Sequence, residues 1–92
     1  MKYANTLETM LAKQDIADCL ARYARGVDRA DADMLHSCYF DDSIEEHGSS
    51  YSGPARAYID GAIQRMQGGD VMGHYLCNLH VEFESDSLAY AE

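Results

Sequence analysis

Apolar residues recur with two different periods along this chain, and the change falls between residues 67 and 73. In the first helical segment they occupy Ile16, Leu20, Tyr23 and Val27, which places them on one face of an α-helix. From residue 74 to residue 84 an apolar residue occupies every second position, which is the period of a β-strand. Helices followed by strands predict an α+β fold, with helices on one face of an antiparallel sheet.

The first two thirds of the chain contain start and stop signals for several elements. Ser, Thr, Asp and Asn favour helix N-termini, and proline favours the first position of a helix. These signals predict a first helix opened by Asn5, with Glu8 reaching back to it, and a second helix over 34–40 after a capping link at 30–33. A strand over 43–47 and a turn at 48–50 follow. A third helix is predicted to begin at Pro54 and to end at Gly68-Gly69-Asp70, with an apolar face formed by Tyr58, Ile59, Ala62, Ile63 and Met66.

The last third predicts two strands, over 74–84 and 88–92, joined by a turn at 85–87. One face of the first strand carries an apolar row, which we define as Tyr75, Cys77, Leu79, Val81 and Phe83. The second strand has no successor, so the sheet is expected to keep an unprotected edge and an incompletely covered row. Exposed edges and apolar patches favour association, and we therefore expect a homodimer or a higher homo-oligomer.

Length and charge exclude several classes of protein. Ninety-two residues fit a single domain spanning the whole chain, 1–92. The net charge of −9 argues against nucleic-acid and anionic-membrane partners, which need a basic face. Three cysteines do not form a disulfide framework and favour a reducing compartment. With neither a secretory signal nor a membrane span evident, the expected location is the cytoplasm.

Three residues have the chemistry of a proton-transfer site. A carboxylate such as Asp28 can orient the imidazole of His74 as a base, and the phenol of Tyr23 can donate to a developing oxyanion. Taken alone, a histidine at a strand start is more often a packing or surface residue. Tyr23 also belongs to the apolar helix face, so a core aromatic is at least as good an interpretation as a catalytic phenol.

Three stretches of sequence, in this order, resemble the SnoaL-like branch of the NTF2-like superfamily. They are residues 15–23 running on to 26–29, residues 51–54 before a helix, and residues 74–78 running on to 81–83. The likeness is greatest to the subgroup that contains dehydratases and a dehydrochlorinase. The resemblance implies a cone of helices packed on a curved antiparallel sheet. Family members continue through further strands, so this domain is expected to lack its final strands.

The resemblance also implies a site. His74 matches the family's base and Asp28 its partner; Tyr23 matches a tyrosine of the bile-acid dehydratase, where the dehydrochlorinase has lysine or glutamine. The implied activity is cofactor-free elimination or isomerisation of a small apolar or polycyclic molecule. Dimers and trimers through the sheet are common in the family. The alternative is a non-catalytic ligand-binding or dimerisation module of the same fold, since fold alone does not determine function.

Elementary geometry leaves two questions about these residues open and argues against a metal site. Tyr23 and Asp28 are ~140° apart around a helix, so they can share a pocket only if it wraps the helix end or if the helix loosens near Gly26. His74 falls on the strand face opposite the apolar row, so either that polar face lines a pocket or a bulge near Asn78 switches faces. Residues 74 and 80 would lie ~20 Å apart on a strand, too far to share one metal ion.

Overall fold

The computed structural model describes residues 6–67, 69 and 73–92. It contains three helices and two antiparallel strand pairs. In chain order the elements are α1 (Leu7–Arg29), α2 (Ala32–His36), β1 (Ile44–His47), β2 (Tyr51–Pro54), α3 (Ala55–Met66), β3 (Val81–Ser85) and β4 (Leu88–Ala91).

The first helix begins at Leu7, about two and a half turns before the clear apolar periodicity that starts at Ile16. Thr6 is the N-cap, and its side chain accepts a hydrogen bond of 3.2 Å from the Thr9 backbone N–H. The prediction of Asn5 as the N-cap was therefore wrong in register, and Asn5 itself lies outside the described residues. The helix ends at Arg29, where Ala30 takes a left-handed conformation with φ of 51°. The Asp31 N–H donates back to the Gly26 carbonyl at 2.9 Å, which turns the chain toward α2.

The second helix begins two residues earlier than predicted and ends sooner, at His36. Asp31, which the sequence placed within a link, is its N-cap and accepts from the Met34 N–H at 3.0 Å. The side chain of Leu35 is 2% exposed and packs against Ile59 and Ile63 of α3. These three residues form the centre of a small core, which Tyr23 and Val27 of α1 cover from the side.

The two helices α1 and α2 approach closely at Gly26. A Cβ atom at this position would lie 2.9 Å from Leu35 Cγ and 3.3 Å from the Leu35 backbone nitrogen. Leu35 is buried between helices and its Cγ is not the far end of a flexible chain, so it has little room to move. The glycine, which weakens a helix by itself, is therefore what permits this packing.

Gly26→Ala is expected to destabilise the protein, with Gly61→Ala as a matched control. Overpacking costs ~1–3 kcal/mol, which exceeds the ~1 kcal/mol gained in helix propensity. At Gly61 a Cβ would meet only the Arg65 guanidinium, at 3.5 Å, so alanine should stabilise α3. Urea unfolding measures both changes. A stabilised Gly26→Ala variant, or an equal cost in a Leu35→Ala background, would contradict the proposed clash.

The strand β1, its turn and the start of helix α3 follow the sequence prediction closely, whereas the strand β2 over Tyr51–Pro54 was not predicted with these bounds. Ile44 pairs with Pro54 and His47 with Tyr51, and Gly48 enters the turn with φ of 52°. The strand runs directly into α3, whose first residue is Ala55, one later than predicted. The face predicted to be apolar is the one that packs: Ile59, Ala62 and Ile63 are buried. Of the residues expected to end this helix, Gly68 and Asp70 lie outside the described residues.

The strand predicted over 74–84 is shorter in the structure and begins at Val81. β4 pairs with residues 81–85, and His80 and Glu92 exchange two backbone hydrogen bonds of 2.8 and 2.9 Å. Among the described residues no strand lies opposite 74–79, so these residues have no ladder partner and are exposed. Within β3 the predicted alternation holds, with Val81 and Phe83 half-buried and Glu82 exposed.

The described strands form two separate pairs, β1–β2 and β3–β4, and do not join into the single curved sheet expected of a cone. The reason is that no described strand bridges the two pairs: α3 and the residues after it separate them in sequence, and of residues 73–80 only His80 bonds to either pair. The first hairpin packs on α3, whereas β3 and β4 contact each other far more than any helix. The architecture is a mixed α+β domain with helices and small antiparallel sheets.

The apolar row is not buried within one chain. Tyr75 is 93% exposed, Leu79 is 41% exposed, and Cys77 is also exposed. Only its last two members, in β3, are half-buried.

Within the part of the chain that the structure describes, none of the helices combines the length and the apolar character needed to cross a membrane.

Candidate functional site

Helix α1 presents three different faces to the rest of the protein. Taking 100° per residue, Ala17, Ala21 and Asp28 fall within ~20° of one line along the helix. Tyr23 and Val27 lie ~100–140° away and face the core. The third face, which includes Gly26, meets α2. This division decides which candidate residues can meet.

The face that carries Asp28 meets His74. The Asp28 carboxylate holds this residue through two bonds: Oδ1 lies 2.5 Å from the His74 ring Nδ1, and Oδ2 accepts from the His74 backbone N–H at 3.0 Å. The predicted contact between these two residues is therefore present in the structure. The two-point attachment fixes both the backbone of His74 and the direction of its ring.

The electrostatics of the pair favour an ionised carboxylate. The hydrogen bond from the His74 side chain, followed by that from its backbone, lowers the pKa of Asp28. A lowered pKa means that the carboxylate stays charged as pH falls through the ordinary range for aspartate, so the attachment is intact at neutral pH. The Asp28 side chain is 15% exposed and that of His74 is 44% exposed.

The second ring nitrogen of His74, Nε2, takes no part in the contact with Asp28. With Nδ1–H donating to the carboxylate, Nε2 carries the lone pair, which is the tautomer a general base requires. Among the residues that the structure describes, none hydrogen-bonds to Nε2. The arrangement can therefore accept a proton at Nε2 while Asp28 stabilises the imidazolium that forms.

An apolar cleft of about 450 Å³ lies along the same face of α1. Ala17, Leu20 and Ala21 form one wall, and residues 76–79 form the other, with Ala91 and Glu92 at one end. Asp28 is two helical turns beyond Ala21, or ~10 Å along the axis. His74 is two residues before Leu76. The cleft and the His–Asp pair thus lie along one side of the helix, between the same two segments.

Sequence reasoning missed the wall of this cleft. Ala17 and Ala21 were not singled out, although their spacing to Asp28 on a helix was a readable signal. The choice between the two strand faces for His74 does not apply, because residues 74–79 do not form a strand. Consecutive residues from Leu76 to Leu79 line the cleft together, which strict strand alternation would not allow.

Tyr23 lies on the neighbouring, core-facing side of α1. It lines a smaller cavity of about 110 Å³ together with Tyr39 and Tyr58, and its ring meets that of Tyr39 edge-on with centroids 6.4 Å apart. Burial raises the pKa of the Tyr23 phenol. Its separation from Asp28 around the helix is the one expected from the sequence, and no hydrogen bond joins Tyr23 to Asp28 or His74 among the described residues.

Tyr23→Phe is expected to lower any turnover by less than about tenfold, because the phenol lines the core cavity and not the cleft. The free energy of unfolding should change little, since the ring and its packing are retained. Steady-state kinetics and urea unfolding, compared with wild type, measure the two effects. A larger loss of turnover in a normally folded variant would give the hydroxyl the catalytic role that the resemblance implies.

The other histidines and cysteines do not assemble into a metal centre. Within residues 6–67, 69 and 73–92, no three His, Cys, Asp or Glu side chains cluster as ligands. His36 instead bonds to Asp60 at 2.9 Å and ties α2 to α3. His80 bonds to Glu82 at 3.1 Å on the exposed surface of the second hairpin.

Comparison with known proteins identifies the domain. A family model described as the SnoaL-like domain matches residues 8–91, which is nearly the whole chain and includes both Asp28 and His74. No curated protein and no solved structure matches the chain significantly. The extent of the family match is sufficient on its own: the chain belongs to the SnoaL-like domain family of the NTF2-like superfamily.

Proposed function

We propose that this protein is a cofactor-independent lyase or isomerase that removes a proton from a small, largely apolar molecule. The SnoaL-like family includes polyketide cyclases, dehydratases and ketosteroid isomerase-like proteins. The observation that carries the proposal is the two-point attachment of His74 to Asp28, which holds the ring by Nδ1 and leaves Nε2 available. An exposed histidine with only a structural role does not need the second of these bonds, from its backbone N–H to Asp28.

The proposed chemistry follows from the two nitrogens of His74. Nε2 takes a proton from carbon beside an electron-withdrawing group of the substrate, and the positive charge that develops on the ring is stabilised by the Asp28 carboxylate. In an elimination the leaving group departs from the adjacent carbon; in an isomerisation the proton returns elsewhere. A positioned base of this kind contributes ~10²–10⁴ in rate.

The class of substrate is inferred from the cleft. Its lining consists mostly of alanine and leucine side chains with Cys77, and its polar residues are Asn78 and Glu92. A volume of about 450 Å³ falls within the range of small-molecule sites, ~300–1,000 Å³. An apolar or polycyclic molecule would lie along α1, with its acidic carbon at the Asp28 end.

A second candidate function is a ligand-binding or dimerisation module without catalysis. The observation that favours it is the 44% exposure of the His74 side chain, since a base that remains in water gains little from preorganisation. An enzyme requires His74 to become shielded when ligand or a partner occupies the cleft. A binding module does not require this, so the behaviour of His74 on ligand binding separates the two functions.

The proposed function is tested by proton exchange. Wild-type protein is incubated in D₂O with a panel of apolar ketones and β-hydroxy carbonyl compounds, and deuterium uptake or loss of water is followed by mass spectrometry. Exchange or elimination that is absent in Asp28→Asn supports the proposal. Ligand binding to wild type without exchange or elimination, seen by chemical-shift changes at Leu76 and Leu79, supports the module.

Assembly is the second part of the proposal: we expect the apolar row to be covered by another copy of the chain. The radius of gyration is 14.9 Å, against ~12 Å for a compact domain of this length. Residues 74–79 and part of the β3–β4 hairpin carry exposed apolar side chains, among them Tyr75, Leu76 and Leu88. A partner on this side would complete the curved sheet of the family cone and shield the cleft.

Light scattering is expected to show a dimer or higher oligomer. Leu79→Glu should shift the protein toward monomer, because burying an unpaired charge in the apolar row has a large desolvation cost. Phe40→Glu is the matched control, since Phe40 is 83% exposed and lies outside the row. A wild-type monomer at high concentration would contradict the expected assembly.

A further inference from the structure

Two thiols cross at the contact between α1 and the residues after α2. Cys19 Sγ lies 3.6 Å from the Cys38 carbonyl oxygen, and Cys38 Sγ lies 3.4 Å from the Cys19 carbonyl oxygen. Each sulfur thus reaches the backbone of the other residue. Both cysteines are half-buried, free and 19 positions apart in sequence.

The reciprocal contact places both sulfurs in one small space. The Cys19 thiol can donate to the Cys38 carbonyl, and the Cys38 thiol lies 3.4 Å from both the Cys19 and the Met34 carbonyl oxygens. A disulfide requires Cα atoms ~4.4–6.8 Å apart, and the contacts of 3.6 and 3.4 Å between each sulfur and the other residue's carbonyl oxygen bring the two backbones close together. Burial and the adjacent Cys38 thiol raise the pKa of the Cys19 thiol, as expected if the two sulfurs are neighbours.

We propose that Cys19 and Cys38 are a redox-active pair that forms a reversible disulfide between α1 and the end of α2. The pair lies on the α2-facing side of α1, away from the His–Asp site, and does not depend on the proposed function. Cys77, which is exposed in the wall of the cleft, has no second thiol beside it among the described residues.

The oxidant is a small-molecule disulfide such as oxidised glutathione. One of the paired thiolates attacks a glutathione sulfur, its S–S bond breaks, and one reduced glutathione leaves. The second paired thiolate then attacks the protein sulfur of the mixed disulfide, which releases the other glutathione. The two protein thiols lose two electrons and two protons, and one oxidised glutathione becomes two reduced ones.

The disulfide would restrain the part of the chain that holds the site. The closed loop runs from Cys19 to Cys38 and contains Tyr23, Gly26, Asp28 and the whole of α2. Closing such a loop removes conformational entropy from the unfolded chain. Oxidation is therefore expected to raise Tm by at least about 5 °C, and reduction to reverse the change.

The experiment uses the whole chain with Cys77→Ser, so that only the pair remains. The protein is treated with oxidised glutathione at mildly alkaline pH, where more thiolate is present. Intact mass, peptide mapping and Tm are measured before and after reduction. We expect the mass to fall by two hydrogen atoms, a peptide that links Cys19 to Cys38, and a reversible rise in Tm.

Single variants show whether the two thiols act together. With Cys19→Ser or Cys38→Ser, the remaining thiol should stop at the mixed disulfide with glutathione, and Tm should not rise. Retention of a glutathione adduct by the Cys77→Ser chain, or recovery of both thiols unchanged, would overturn the proposal. So would a disulfide that forms only between two chains, which gel filtration under non-reducing conditions detects.

Discussion

Replacing His74 with alanine is expected to lower turnover by ~10²–10⁴, while thermal unfolding stays nearly unchanged. The ring is the only group in the pair that can accept a proton from a substrate, because the Asp28 carboxylate is engaged by His74 and its pKa is lowered. The His74 side chain is 44% exposed and contributes little to the core. The bond from its backbone N–H to Asp28 does not need the ring and should persist.

The matched control is His80→Ala. His80 also bonds to a carboxylate, that of Glu82, but both side chains are 72% exposed and lie on the second hairpin. The His80→Ala variant should retain full turnover. That result would show that a histidine–carboxylate contact alone is not sufficient for catalysis. Steady-state kinetics and circular dichroism melting of both variants measure the two effects. A strongly destabilised His74→Ala variant would support a structural role, and unchanged kinetics would remove His74 from the proposed reaction.

Leu35→Ala is expected to have the largest effect on stability. The side chain is 2% exposed and is the largest one that is fully buried in the described structure. It joins α2 to Ile59 and Ile63 of α3 and fills the space beside Gly26. Loss of a buried leucine costs ~2–5 kcal/mol, and domains of this size are stable by roughly 5–14 kcal/mol. The variant should therefore lose a large fraction of its stability.

Urea unfolding of Leu35→Ala and Leu11→Ala compares the loss of a buried leucine with the loss of an exposed one. Leu11 lies on α1 and is 58% exposed, so its removal should change the free energy of unfolding by no more than about 0.5 kcal/mol. The midpoint should fall for Leu35→Ala with the slope unchanged. Equal effects of the two substitutions would mean that the small cluster around Leu35 is not the core of the folded protein.

Local pattern was sufficient for α3 and the first hairpin. The apolar positions of α3 recur at helical spacing, Pro54 marks its start, and Gly48 supplies the positive φ of the turn. These signals act over a few residues and need no distant partner, so β1 and the start of α3 differ from the prediction by about one residue, whereas the bounds of β2 were not predicted. The caps of α1 and α2 were shifted, because several of the residues near each start can act as N-cap.

The first part of the predicted strand, residues 74–79, failed for the opposite reason. Alternation over 74–84 is a local signal, but a strand exists only where another strand pairs with it. β4 reaches residues 81–85, and residues 74–79 have no partner among those described. The same dependence on distant segments left the division of the strands into two pairs beyond prediction.

For the site, the sequence by itself determined which side chains have suitable chemistry and where each lies on its own element. The position of Asp28 near the end of α1, and its separation from Tyr23 around that helix, follow from helical geometry. Only the tertiary structure decided which residues meet. Asp28 and His74 are 46 positions apart, and their contact depends on how the chain returns past α1 after α3. Local periodicity carries no information on that path. The path is determined by how the other segments pack against the three faces of α1.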